Sequence, residues 1–109
     1  QMMKEVISMR KIVLLCNAGM STSALVTKMR QAAEKIKYEC QINAYAAGEA
    51  AAVAKDADIV FLGPQVKYML NEVKEKVSPT PVEVIDMMVY GMMDGGKVVS
   101  RAKQVLGDA

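Results

Sequence analysis

Histidine is absent from all 109 residues, and that one gap removes several chemistries. No Cys-His or Ser-His pair can act within this chain, and no phosphohistidine can form on it. There are two cysteines, Cys16 and Cys40, with no Cys-x-x-Cys pair. They are too few for a disulfide framework and, without histidine, too few for a zinc site. Neither a metal nor a cofactor is expected, and the thiols are expected to be reduced, as in a cytosol. Tryptophan is also absent and aromatics make up 5% of the chain, so the core has to be assembled from Val, Ile, Leu, Ala and the ten Met. The net charge of +2 comes with no Lys/Arg-rich run, which gives no footprint for nucleic acid. No apolar stretch approaches a membrane span, and the N-terminus, with Glu5 and no long apolar segment, does not read as a signal peptide.

What is present is enough apolar material, 52% of residues, for one single-core domain. Apolar runs alternate with helical periods. Lys11 to Cys16 is a continuous apolar strand, broken at Asn17-Ala18-Gly19-Met20. A helix follows from Ser21, capped by Ser21 or Thr22, with Leu25, Met29, Ala32 and Ile36 on its buried face. Residues 39–45 alternate as a half-buried strand, and the Ala-rich stretch 46–55 predicts a short helix beginning near Gly48. Asp58 to Leu62 is a second continuous apolar strand, stopped by Gly63-Pro64. Gln65 to Lys76 predicts a helix burying Val66, Met69, Leu70, Val73 and Val77, and the two prolines of Ser78-Pro79-Thr80-Pro81 end it. Val82 to Asp86 is a fourth strand, and Asp94 caps a last helix that buries Val98, Ala102, Val105 and Leu106. Continuous strands belong at a sheet centre and alternating ones at its edges. The expectation is therefore a four-stranded parallel α/β sheet of order 2-1-3-4, flavodoxin-like, with helices on both faces. The domain is expected over 11–107, with residues 1–10 an N-terminal extension or the start of strand one.

In such sheets ligands sit beyond the carboxyl ends of the strands, at the switch between strands one and three. Three loops meet there: Cys16 to Ser23, Gly63-Pro64-Gln65 and Asp86 to Tyr90. The first puts a thiol at a strand end, then small residues, then a helix start. Inward backbone N–H groups and the helix dipole stabilise a thiolate and a phosphoryl group on sulfur. The candidate nucleophile is Cys16, and the candidate phosphate cradle is Asn17, Ala18, Gly19, Met20, Ser21, Thr22 and Ser23. No acidic residue lies between Glu5 and Glu34, while Arg10, Lys11, Lys28 and Arg30 are basic. A cysteine ending an apolar strand is most often just a small buried hydrophobe; the loop and helix start that follow make the difference for Cys16, and Cys40 lacks both. Met20, Pro64, Gln65, Met87 and Met88 are the candidate rim around Cys16, set against the alternative that these Met fill the core under the loops. Tyr68 and Tyr90 fall in the same region without an assigned role.

The loop partly resembles the Cys-x5-Arg cradle of low-molecular-weight tyrosine phosphatases, but the sixth residue after Cys16 is Thr22. Without the guanidinium the bidentate clamp on a transferring phosphoryl group is missing, and Asp86 is the one carboxylate placed to serve as an acid. A site that holds phosphate on sulfur and hydrolyses it poorly suits a carrier.

The stretches Ile12 to Ser23, Val60-Phe61-Leu62-Gly63-Pro64-Gln65, Tyr68-Met69-Leu70, Pro81 to Asp86, Tyr90-Gly91 and Asp94-Gly95 together resemble enzyme IIB of the lactose/cellobiose family. This family belongs to the bacterial phosphoenolpyruvate-dependent sugar phosphotransferase system. The resemblance implies a protein-phosphohistidine–sugar phosphotransferase working through a phosphocysteine. A phosphohistidine of the partner IIA donates to Cys16, and Cys16 delivers to a β-linked disaccharide of the cellobiose, lactose or chitobiose class, held by the membrane permease IIC. The chain would be cytoplasmic, monomeric and transiently at the inner face of the plasma membrane through IIC. Two other readings stand beside it: a cysteine hydrolase of the phosphatase or arsenate-reductase type, against which the missing arginine and missing resolving cysteine argue, and a binding module with an inert Cys16.

Overall fold

Uninterrupted apolar strands are stable only where both faces are covered, and the two such strands of this chain lie side by side in the middle of the sheet. The structure, a computed structural model, describes residues 9–17 and 20–108, with Met20 and Ser21 described by backbone alone. Strands β1 (Arg10–Cys16), β2 (Cys40–Ala46), β3 (Ile59–Leu62) and β4 (Val82–Val84) form one parallel sheet in the order β2-β1-β3-β4. This is the 2-1-3-4 order expected from the sequence. Helices α1 (Met20–Lys35), α2 (Ala50–Val53), α3 (Leu70–Val77), α4 (Met87–Gly91) and α5 (Gly95–Leu106) connect the strands and cover both faces.

Strand alternation divides the core in two. Ile12 and Leu14 of β1 pack with Leu25, Val26 and Met29 of α1 and with Val98, Val99 and Ala102 of α5. Val13 and Leu15 face the other way, against Ala47, Ala50, Ala54, Val66 and Val73. Since side chains alternate with a period of two, Cys16 continues the Ile12–Leu14 set and leaves the sheet on the α1 side. The edge strand β2 shows the expected division, with Cys40, Ile42 and Ala44 toward the first cluster and Tyr45 toward the second.

Helices α1 and α5 cross at Gly95, where a Cβ would lie 2.4 Å from the Met29 backbone nitrogen and 2.5 Å from the Lys28 carbonyl carbon. Only a residue without a side chain lets the two backbones approach this closely.

Several local expectations are corrected. Helix α1 begins at Met20, so Ser21 and Thr22 lie inside it and do not precede it as caps. Its buried face is Leu25, Val26, Met29 and Ala33, whereas Ala32 is half-buried and Ile36, past the last turn, is 52% exposed. The Ala-rich stretch divides into a 3-10 turn, Ala47–Glu49, and the single turn of α2. Likewise 65–76 divides into a 3-10 segment, Pro64–Met69, with Val66 off helical geometry (φ −117°, ψ 23°), and then α3. Strand β4 stops at Val84, and Asp86 instead caps the short helix α4, accepting from the Met88 and Val89 N–H groups. Asp94 caps α5 as expected, accepting from the Lys97 N–H.

The N-terminal edge of the sheet is held by a polar clasp. The Arg10 guanidinium donates to both oxygens of Asp108 at 2.7 Å, and the Tyr38 hydroxyl donates to Asp108 Oδ2 at 2.6 Å. The Arg10 hydrogen bond, then that of Tyr38, lowers the Asp108 carboxyl from 3.8 to about 2. Burial first, then the bond to Asp108, pushes the Tyr38 phenol above its usual range. Because the folded Asp108 value is depressed, its contribution is complete above the unfolded value and is lost as pH falls from about 4 through about 2. Asp108→Asn is expected to cost about 1 kcal/mol at neutral pH, the partly exposed pair being screened by water. The cost should shrink toward pH 2, as read from urea unfolding at several pH values. An unchanged difference between the two proteins across that range would show that Asp108 titration contributes nothing.

Candidate functional site

A side chain at the carboxyl end of a central strand is already shielded by its neighbours, and Cys16 is 5% exposed. Four positions later the 16-residue helix α1 begins, with no acidic residue in its first turn. Its N-terminal end therefore presents unopposed positive potential to whatever occupies the end of β1. Thr22, in the first turn, is 1% exposed, and its Oγ1 is in hydrogen-bond contact with Cys16 Sγ. The same oxygen lies 3.1 Å from the hydroxyl of Tyr90, a buried residue of α4. Sulfur, threonine hydroxyl and phenol thus form a buried row that joins the loop after β1 to the helix after β4.

The loop after β3 closes the third side. The Gly63 N–H donates to the Leu15 carbonyl at 2.9 Å, continuing the β1–β3 ladder by one bond. A Cβ at Gly63 would stand 3.4 Å from Cys16 Cβ, 3.4 Å from Tyr90 Cε2 and 3.0 Å from Gln65 Oε1. Gly63 is therefore packed between the cysteine and the tyrosine, and its bare backbone lets the three loops converge.

Of the cradle residues named from the sequence, Ala18 and Gly19 lie outside the described residues. Met20 and Ser21 form the start of α1, and Asn17 and Ser23 are exposed. Thr22 is the one whose side chain is seen at the sulfur. On the rim, Met87 and Met88 are 68% and 71% exposed, which excludes core filling for both; Gln65 is exposed and Pro64 half-buried. Met92, which the sequence reading did not single out, is 75% exposed on the same side, and Asp86, Met87, Met88, Gly91 and Met92 line a shallow hollow. Tyr68, in the 3-10 segment after β3, is 78% exposed. Tyr90 is the converse case: it is buried and belongs to the row at the sulfur, away from any rim. Asp86, the carboxylate considered as an acid, is occupied as the cap of α4.

A family model described as the lactose/cellobiose-specific IIB subunit of the PTS system matches residues 11–101. The chain belongs to that IIB family. Among curated relatives, the oligo-beta-mannoside-specific EIIB component of Bacillus subtilis is 42% identical over 100 residues, covering 90% of this chain and 97% of that protein. The galactose-specific EIIB component of Lactococcus lactis subsp. cremoris is 39% identical over 102 residues, covering 87% and 94%. The solution structure of a cellobiose-specific IIB component from Borrelia burgdorferi superposes with a TM-score of 0.77 at 32% identity, covering 94% of this chain and 95% of that one. This IIB subunit therefore has its role in sugar phosphotransfer, alongside IIA and IIC components of the same system.

Cys40 lies in a different setting from Cys16. It is the first residue of the edge strand β2, no helix start follows it, and burial pushes its thiol upward, which disfavours the thiolate. Among the described residues there is no cluster of His, Cys, Asp or Glu able to hold a metal ion, and no helix long and apolar enough to cross a membrane.

Proposed function

We propose that this IIB subunit carries a phosphoryl group on Cys16, between a phosphohistidine of IIA and a β-linked disaccharide held by IIC. The observation that carries the reading is the placement of the Cys16 sulfur at the end of β1, against the Thr22 hydroxyl and beside the start of α1. In the first step the Cys16 thiolate attacks phosphorus. The S–P bond forms, the P–N bond breaks, and the imidazole nitrogen of the partner keeps the electron pair. In the second step a sugar hydroxyl attacks: the O–P bond forms, the S–P bond breaks and sulfur leaves as thiolate, the hydroxyl proton passing to a base of the acceptor side or to water. Neither step asks this chain for a strong acid, which accords with Asp86 being occupied as a helix cap.

Positioning and electrostatic stabilisation carry most phosphoryl transfer. Here they would come from the N-terminal end of α1, the Thr22 hydroxyl and the backbone of residues 17–23, whose hydroxyl-bearing members Ser21 and Ser23 flank Thr22. The absence of an arginine at Thr22 disfavours hydrolysis of the phosphocysteine and so preserves it for delivery. Exposed Met87, Met88 and Met92, with Tyr68, Pro64 and Gln65 across the site, form the surface on which IIA and IIC dock in turn. Thioether side chains suit two different partners because they repack readily. In this reading the subunit works as a cytoplasmic monomer that meets the membrane only through IIC.

The test is intact-protein mass measurement after incubation with phosphoenolpyruvate, the general phosphotransferase proteins and a matching IIA. The protein should gain one phosphoryl group, and a Cys40→Ser variant should gain it equally. Failure to gain mass with several competent IIA proteins would overturn the carrier role.

A further inference from the structure

We infer that Tyr90 is a positioning residue for the thiolate: its phenol aims the Thr22 hydroxyl proton at Cys16 sulfur. The inference rests on Cys16 being the phosphoryl carrier for its functional meaning, but not for its geometry.

Proton counting fixes the direction of the row. A threonine hydroxyl has one proton to give and two lone pairs to accept with. When Cys16 is a thiolate, sulfur has no proton, so the Sγ–Oγ1 contact is a hydrogen bond only if Thr22 donates. The Thr22 proton is then committed, and the 3.1 Å contact with Tyr90 is a hydrogen bond only if the phenol donates. Tyr90→Thr22→Cys16 is thus the one arrangement in which both contacts hold the anion. Each donor in such a chain polarises the next, and the buried setting, with Thr22 1% and Tyr90 8% exposed, keeps water from competing.

In the phosphocysteine the sulfur again has no proton. The same hydroxyl then stands at the atom that must accept the electron pair when the S–P bond breaks. Tyr90 is suited to the task because it belongs to a different element. Helix α4 is fixed by the Asp86 cap, and Tyr90 packs against both Gly63 and Thr22, so the phenol is held by elements other than the one that carries Thr22.

The experiment follows the Cβ resonance of 13C-labelled cysteine across pH in the native protein, Tyr90→Phe, Thr22→Val and the double variant. Cys40 serves as internal reference, and thermal unfolding confirms the fold of each protein. Tyr90→Phe should move the Cys16 titration midpoint upward by about half a unit, and Thr22→Val by about one unit, sizes expected for a buried hydrogen bond to a charge and its second link. Thr22→Ser should restore most of the native value. In the Thr22→Val background, Tyr90→Phe should add nothing, because the hydroxyl through which it acts on sulfur has been removed. The Cys40 midpoint should stay put throughout. An unmoved Cys16 midpoint in Tyr90→Phe would overturn the inference, and so would an equal shift in both backgrounds. If Thr22→Val fails to fold, Thr22→Ala takes its place in the cycle. The titration requires no phosphoryl donor. Failure here with normal phosphorylation refutes Tyr90 alone, whereas the expected shifts with no phosphorylation by any IIA refute the carrier role alone.

Discussion

Cys16→Ser is expected to accept no phosphoryl group from a IIA partner, a loss on the order of a thousandfold or more. The substitution replaces one atom in a site that is otherwise intact, and a buried serine at the end of β1 still has Thr22 to bond with. Folding stability should change by no more than about 1 kcal/mol. What changes is the nucleophile. A thiol ionises far more readily than a serine hydroxyl, which needs a base to attack, and this chain has no histidine to supply one. The nearest carboxylate on the neighbouring loop, Asp86, is held as the cap of α4. Mass measurement of native, Cys16→Ser and Cys40→Ser proteins reads the result directly. Phosphorylation retained by Cys16→Ser and lost in Cys40→Ser would move the carrier to β2 and undo the reading of the first loop.

Gly95→Ala is expected to be the most damaging single-methyl change in the fold. The added carbon would meet backbone atoms, the Met29 nitrogen at 2.4 Å and the Lys28 carbonyl carbon and oxygen at 2.5 and 2.8 Å. A side chain in the way could rotate; a helix backbone has to translate. Relief requires α1 and α5 to separate, opening the packing of Met29, Val98 and Val99, at a cost of about 3 kcal/mol or more. For a domain of this size that is roughly a 10–20 °C fall in Tm. The neighbouring Gly96→Ala provides the control: its Cβ would touch only Asp94 Oδ1 at 3.7 Å and Ala32 Cβ at 3.9 Å, ordinary contacts. That variant should match the native protein or exceed it slightly through helix propensity. Equal melting of the two variants would mean that the helix crossing is looser than the structure has it. Since α1 also delivers Thr22 to the sulfur, partial separation would weaken the site along with the fold.

The strand order was legible because burial on two faces and burial on one face leave different residue patterns, and β1, β3 and β2 carry them plainly. The place of Cys16, at the junction of a buried strand and a helix start, was legible for a related reason, since the apolar run ends there and the helical period begins just after it. The helical details were less so. Ile36 has the right spacing from Leu25, Met29 and Ala32, but α1 ends at Lys35, and Lys37 follows with a positive φ of 57°, so the periodic pattern outlasts the helix. Helix α4 has five residues, too few for any period to show, and its one signal, an aspartate before Met87, reads equally as an acid at a strand end. The cap at Asp86 and the place of Tyr90 beside Thr22 are therefore seen only in the structure. No local pattern could have joined Tyr90 to Thr22, 68 positions away, because only the closing of the sheet brings α4 to the start of α1. Gly95 likewise reads as an unremarkable helix start until the partner backbone is seen beside it.

The Arg10–Tyr38–Asp108 clasp gives the molecule a polarity of attachment. It lies at the N-terminal edge of the sheet, whereas Cys16 lies at the other end of the seven-residue strand that Arg10 begins, a separation of ~20 Å. Residues joined after Asp108 would therefore depart from the pole opposite the thiol. A tether, a fluorophore or a whole fused domain placed there would leave the face around Cys16 unobstructed, so that the subunit could be immobilised at that pole with the opposite one open to solution.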